Sequence, residues 1–178
     1  MTAEAVVRTY LRAKDENRPH LMQLAFAETA KLEMEVETGT ISFPPLSEGI
    51  ESITKVLVRD FGQVYENVYT FCLTNPPPIT SDKVFECRWV LGMSEKTSGA
   101  ARVGCGRYHW SFQTGERRLV AERLGITIKI MQVLPPDYLN PIMQWLSELP
   151  YPWCPPQQCL KGMPEFAELQ GVRSFIEQ

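Results

Sequence analysis

Tyr108-His109-Trp110-Ser111-Phe112-Gln113-Thr114-Gly115-Glu116, continued after Arg117-Arg118 by Leu119-Val120-Ala121-Glu122-Arg123-Leu124-Gly125-Ile126-Thr127-Ile128-Lys129-Ile130, is the stretch that decides the fold. Before the turn at 113–116, Tyr108, Trp110 and Phe112 alternate with Arg107, His109 and Ser111. Beyond it, Val120, Leu124, Ile126, Ile128 and Ile130 alternate with Ala121, Arg123, Thr127 and Lys129. Apolar residues at every second position mark a strand with one buried face. Residues 102–130 therefore read as two long strands joined as a hairpin, the centre of a sheet.

Upstream, residues 68–74 and 84–93 read as two further strands on either side of Pro76-Pro77-Pro78, the second with Phe85, Cys87, Trp89, Leu91 and Met93 alternating with Glu86 and Arg88. Lys31-Leu32-Glu33-Met34-Glu35-Val36 alternates as well, and Gly39 with Pro44-Pro45 ends it. Three helical patterns accompany these strands. Thr2 caps a helix running to about 17, with Val6, Val7, Tyr10, Leu11 and Lys14 on one face. Pro19 suits the first turn of a second helix, to about 28. Ile50, Ile53, Leu57, Phe61 and Val64 stripe a third, from about 48 to 64. Past Pro135-Pro136, helices at 137–149 and 164–176 flank a stiff segment at 150–156. The apolar Phe166, Leu169, Val172 and Phe175 predict that this extension docks on the body or on a partner chain.

Composition excludes several function classes. A chain of 178 residues with 44% hydrophobic and 22% charged residues suits one globular domain. A net charge of -3 gives no general attraction for phosphate backbones, and Arg117, Arg118 and Arg123 are too few to reverse it, so no nucleic-acid partner is expected. Residues 1–12 lack an uninterrupted apolar run, which predicts neither a secretory signal nor a membrane span, and a cytoplasmic location. The cysteines number five and read as reduced core thiols. Cys154 and Cys159 have a spacing that suits a disulfide or two metal ligands. The histidines, His20 and His109, stand in distant segments, so free thiols and no metal are expected. Gly104-Cys105-Gly106 lies inside a strand, where glycine lets a sheet bend; with no phosphate-binding loop and no Gly-x-Ser-x-Gly motif, no cofactor is expected.

Among candidate site residues, Glu122 falls on the face of Val120, Leu124 and Ile126, where a carboxylate would be desolvated and its pKa raised. It is then a pocket base, unless an arginine or Tyr10 satisfies it or a bulge turns it to solvent. Tyr10, Met34, Phe71, Trp89, Tyr108 and Trp110 are of the types that line an apolar ligand pocket, and equally of the types that fill a core. His109 alternates to the opposite, outer face. Glu33 and Glu35 belong there too, beside Arg107, Arg123 and Lys129.

The runs Val6-Val7-Arg8-Thr9-Tyr10-Leu11, Leu24-Ala25-Phe26-Ala27-Glu28 and Lys31-Leu32-Glu33-Met34, with Glu48-Gly49-Ile50-Glu51-Ser52-Ile53 and the paired late strands, resemble the nuclear-transport-factor-2-like (NTF2-like) superfamily over about residues 4–132. The ketosteroid isomerases and SnoaL-like polyketide cyclases are the branches they resemble. The resemblance implies an α+β fold, a curved sheet wrapped round N-terminal helices into a cone. Residues 1–136 would form that domain and 137–178 a helical extension packed on it. In the isomerases a carboxylate base works beside a tyrosine and a protonated aspartic acid. By this resemblance Tyr10 matches the tyrosine, Met34 stands at the position of the base and Tyr108 at that of the protonated acid. The expectation is a pocket for a small apolar or aromatic molecule lined by Tyr10, Met34, Phe71, Trp89, Tyr108, Trp110 and Glu122, in a homodimer paired through the outer face of the sheet. The alternatives are a cofactor-free isomerase, cyclase or dehydratase using Glu122 with Tyr10 and Tyr108, and a non-catalytic interaction module.

Overall fold

Hydrogen bonding along residues 101–134 makes the hairpin the middle of the sheet. In this computed structural model, which describes residues 1–78, 83–115 and 118–178, β5 (Ala101–Thr114) and β6 (Leu119–Leu134) pair antiparallel from Ala101 opposite Leu134 to Thr114 opposite Leu119. Glu116 of the expected turn and Arg117 of the basic cluster lie outside the described residues. Antiparallel β4 (Val84–Glu95) and β3 (Tyr65–Cys72) extend the sheet on one side. On the other, β1 (Phe26–Val36) lies parallel to β6 and carries the short β2 (Leu46–Glu48), giving the order β2-β1-β6-β5-β4-β3. The architecture is an α+β cone with a six-stranded mixed sheet.

Two bulges shape the hairpin. Cys105 pairs with Ile130 but Gly106 with Ile128, so Lys129 is an extra residue. Ser111 pairs with Arg123 but Phe112 with Ala121, so Glu122 is another. Each extra residue resets the alternation. Ile128 and Met131 consequently join the inner core, while Ile130 packs against the outer one.

Inside the sheet's hollow lies α1 (Ala3–Asp15), capped by the Thr2 hydroxyl, which accepts from Ala5 N at 3.2 Å. Val6, Val7, Tyr10 and Leu11 are fully buried as the stripe requires. The second helix is shorter than its sequence pattern: a 3₁₀ turn at Pro19–Leu21 and α2 (Met22–Ala25) give way to β1 at Phe26. Pairing of Phe26 with Ala121 in the long sheet overrides local helical spacing. The third helical stretch starts at Ile50 instead of 48, because Leu46–Glu48 pair with β1 and Gly49, at φ +82, turns the chain. It runs as α3 (Ile50–Thr54), a π-helical segment (Lys55–Asp60) and α4 (Phe61–Val64).

The outer face of the sheet is covered by α5 (Leu139–Ser147), α6 (Pro156–Cys159) and α7 (Gln170–Glu177). Ile142, Trp145, Leu146, Val172, Phe175 and Ile176 pack there on Phe71, Val90, Val103, Cys105 and Leu134. Each such buried side chain contributes about 1.5–3 kcal/mol, whereas an exposed ion pair contributes ~0–1 kcal/mol. Apolar burial therefore holds these helices. Arg88 gives direction by donating to the Phe175 carbonyl at 2.6 Å, at the negative end of α7. Residues 152–154 finish the open edge of β3: Cys72 N donates to Pro152 O (2.8 Å) and Cys154 N to Cys72 O (2.9 Å). No helix among the described residues is long and apolar enough to cross a membrane.

Gly106 sits at the first bulge, where a Cβ would run into the Thr127 carbonyl oxygen and the Trp89 ring. Gly106→Ala is expected to destabilise the fold by about 1–3 kcal/mol, measured as a lower urea midpoint.

Candidate functional site

The inner core stops short of filling the cone. Between α1, the π-helical segment and the sheet remains an apolar cavity of about 40 Å³, lined by Tyr10, Lys14, Met34, Ile41, Phe43, Leu57, Phe61, Trp89, Leu91, Met93, Tyr108, Ile126, Ile128 and Met131. That is room for a few water molecules, since one needs ~10–15 Å³. Larger hollows, beside Asp15 and Tyr69 and beside Gln23 and Arg118, are surface grooves with mixed polar and apolar walls. The smaller cavity is the better site because its walls are almost wholly apolar and carry buried donors.

Its polar groups are few and nearly all donors. The Tyr10 hydroxyl and Trp89 Nε1 are buried without a hydrogen-bond partner, and Trp110 Nε1 behind them is in the same state. An orphaned buried donor costs about 1–3 kcal/mol, so the cone retains an unmet demand for an acceptor. Tyr10 packs edge-on against Phe26, Tyr108 and Trp110, with ring centroids 5.8, 6.2 and 5.2 Å away. Burial pushes the Tyr10 phenol far above its ordinary value and does the same to Tyr108. Both remain protonated donors throughout the neutral range.

At one end of the cavity stands a buried ion pair that the helical spacing indicated only through Lys14. Lys14 Nζ donates to Asp15 Oδ1 at 2.6 Å and to Thr70 Oγ1 at 2.8 Å, and lies 5.0 Å from the Phe61 ring centroid. Asp15 also accepts from Thr70 N (2.8 Å), the Thr70 hydroxyl (2.9 Å) and the Tyr151 hydroxyl (3.0 Å). With both side chains 5% exposed or less, the carboxylate is saturated by donors and the ammonium held away from free chemistry.

The residues singled out by sequence separate into three groups. Tyr10, Met34, Trp89 and Tyr108 meet at the cavity. Trp110 is fully buried but lies outside the lining, stacked on Phe112 at 6.0 Å. Phe71 faces the outer core, a correction to its expected place in the pocket: along β3 Val68, Thr70 and Cys72 alternate inward, which leaves Tyr69 and Phe71 outward, Phe71 against Tyr151. Glu122 is corrected as well. As the extra residue of the second bulge it is exposed to solvent, so no carboxylate reaches the cone from β6. His109 is on the outer face, its Nδ1 2.5 Å from Glu86, and Arg123 and Lys129 pair there with Glu33 and Glu37. All five cysteines are free thiols, and no three metal-ligating side chains cluster among the described residues. Sequence reading missed Ile41 and Phe43, which come from a loop without periodicity.

No protein-family model and no curated protein matches the sequence. Solved structures do: a nuclear transport factor 2-like superfamily protein from Salmonella enterica serovar Typhimurium aligns over 71% of this chain and 87% of its own, at TM-score 0.58 and 14% identity. The chain has the NTF2-like fold. A hexachlorocyclohexane dehydrochlorinase from Novosphingobium barchaimii is similar over 72% of this chain and 85% of its own (TM-score 0.56, 8% identity). A ketosteroid isomerase-like protein from Erwinia carotovora atroseptica is similar over 70% and 92% (TM-score 0.52, 11% identity). An NTF2-like fold at these identities carries no activity with it; the side chains in the cone must supply the argument.

Two outcomes follow. Asp15→Ala leaves Lys14 buried and unpaired and is expected to cost about 3–5 kcal/mol in equilibrium unfolding, whereas Tyr10→Phe removes an orphaned hydroxyl and is expected to leave stability unchanged or slightly higher. Buried phenols, together with Cys105, whose thiol burial raises from 9.0 to about 12, bind protons more tightly folded than unfolded. Their contribution is complete below about pH 9 and lost as pH rises toward 12. The urea midpoint is expected to fall across that window, and less steeply in Cys105→Ala.

Proposed function

We propose that the cone binds a small apolar or aromatic molecule bearing a hydrogen-bond acceptor. The observation that carries this reading is the pair of unpartnered donors, Tyr10 Oη and Trp89 Nε1, at an otherwise apolar cavity. A carbonyl or ether oxygen against them would satisfy both, while Met34, Leu57, Leu91, Met93 and Met131 receive the apolar body. Methionine-rich walls adapt to more than one shape. The neighbouring folds include a dehydrochlorinase and an isomerase-like protein. Acid–base turnover by Tyr10 and Tyr108 would require a base, and among the described residues the cavity lining contains no carboxylate or imidazole. Binding is therefore the better-supported function, with no cofactor called for.

The cavity's small volume favours a second reading, a filled cone serving as a scaffold for protein contacts. A homodimer through the outer face would have to use the strip of ion pairs on β1 and β6, since α5–α7 cover the apolar part. We propose a monomer.

Native mass spectrometry of the freshly purified chain, repeated after denaturation, tests both readings. The expected result is a monomer with a small-molecule mass excess that disappears on denaturation and is reduced in Trp89→Phe. A bare chain that is also unaffected in melting temperature by added apolar carbonyl compounds would favour the scaffold.

A further inference from the structure

The wall of the cone opposite α1 includes a loop, and its attachment is unlike that of the other walls. Residues 38–44 span from the end of β1 to Pro45. Both ends are pinned by backbone bonds: Glu37 N donates to Ile128 O and Met34 N to Pro45 O, each at 2.9 Å. Between the pins, among the described residues, hydrogen bonds to the rest of the chain converge on Thr40. Its hydroxyl donates to Met131 O at 2.5 Å, and its carbonyl accepts from Arg102 Nη1 at 2.7 Å. Ile41 and Phe43, just beyond, reach the cavity and are only partly buried. Gly39 has no neighbour within 4 Å of where a Cβ would stand, which leaves room to swing.

Arg102 is built to hold this point. On β5, its side chain is 12% exposed and paired through Nη2 with Glu95 at 2.9 Å. The guanidinium also lies 5.4 Å from the Tyr65 ring centroid. Glu95 and Tyr65 fix the fork in place, so the remaining N–H reaches Thr40 without further ordering. By contrast, between its pinned ends the loop makes no backbone–backbone hydrogen bond to the rest of the described chain, and Ile41 and Phe43 are only partly buried, the pattern of a locally opening segment.

We propose that residues 38–44 are a lid over the cone, that the bonds Thr40 makes to Arg102 and to the Met131 carbonyl are its latch, and that lifting Ile41 and Phe43 widens the route by which a ligand enters. The proposal rests on the binding reading above for its purpose, but its mechanics are separately measurable. Lid opening would widen the mouth of the cavity of about 40 Å³ and expose more of Met34, which is 8% exposed in this structure.

The test places a thiol at the cavity by Met34→Cys in the full chain and follows its alkylation by N-ethylmaleimide, with the native, fully buried Cys105 of the outer core as an internal monitor of global unfolding. Arg102→Met and, independently, Thr40→Val, which spares the arginine, are each added to this background. Labelling at position 34 is expected to rise about tenfold in each, with Cys105 unchanged. Unchanged labelling at 34, or a parallel rise at Cys105, would overturn the latch. The same variants are mixed with 1-anilinonaphthalene-8-sulfonate. Faster fluorescence gain supports the lid as an entry route; unchanged binding kinetics despite faster labelling would overturn that role. Faster labelling with no probe binding in any variant would leave the latch established and refute binding in the cone.

Discussion

The buried pair Lys14–Asp15 is the constraint on which the rest of the structure depends. Two charges withdrawn from water near the C-terminus of α1 are tolerable only where donors and acceptors surround them, and those come from distant parts of the chain: Thr70 of β3 and Tyr151 of the C-terminal segment. The helix in the hollow, one edge of the sheet and the helices on its back are thereby fixed to one carboxylate. A displacement of any one strips a charge of its partner, so the three move together or not at all.

That coupling divides the sheet into two functional sides. Outward, α5–α7 take up the apolar surface of β3, β4, β5 and the end of β6, and the remaining strip carries ion pairs that add little energy. Inward, the donors of Tyr10, Trp89 and Trp110 lack acceptors, the first two at the wall of the cavity. Native interiors seldom keep such groups unpaired, and the pair at the wall is what distinguishes a pocket from an imperfectly filled core. The NTF2-like fold supplies the hollow; this chain's methionines, tyrosines and tryptophan supply its chemistry.

Much of this was legible in the sequence. The strict alternation from Tyr108 to Phe112 and the Thr2 cap with its apolar stripe are local patterns, and local patterns survive folding. What escaped is non-local. A bulge is a count of two residues against one on another strand, so nothing within β6 alone reveals that Glu122 or Lys129 is the extra residue. Phe71 is of a type that suits a pocket and a core alike, and which of the two faces of β3 meets the cone is set by its pairing with β4. Lys14 is visible on the apolar stripe, but Tyr151, which donates to the neighbouring Asp15, is 136 positions from it. Ile41 and Phe43 stand among prolines, threonines and glycine, where no period exists to assign a face.

The parallel pairing of β1 with β6 bears on how the chain is made. β1 is made well before its partner and must wait, with one edge unsatisfied, until residues 119–134 leave the ribosome. Meanwhile α1 carries a lysine and an aspartate toward an interior that does not yet exist, and the back of the sheet stays bare until the last helix arrives. Non-local order of this kind slows folding and prolongs exposure of strand edges. The nascent chain, more than the finished one, therefore carries the bare strand edges that invite wrong pairing.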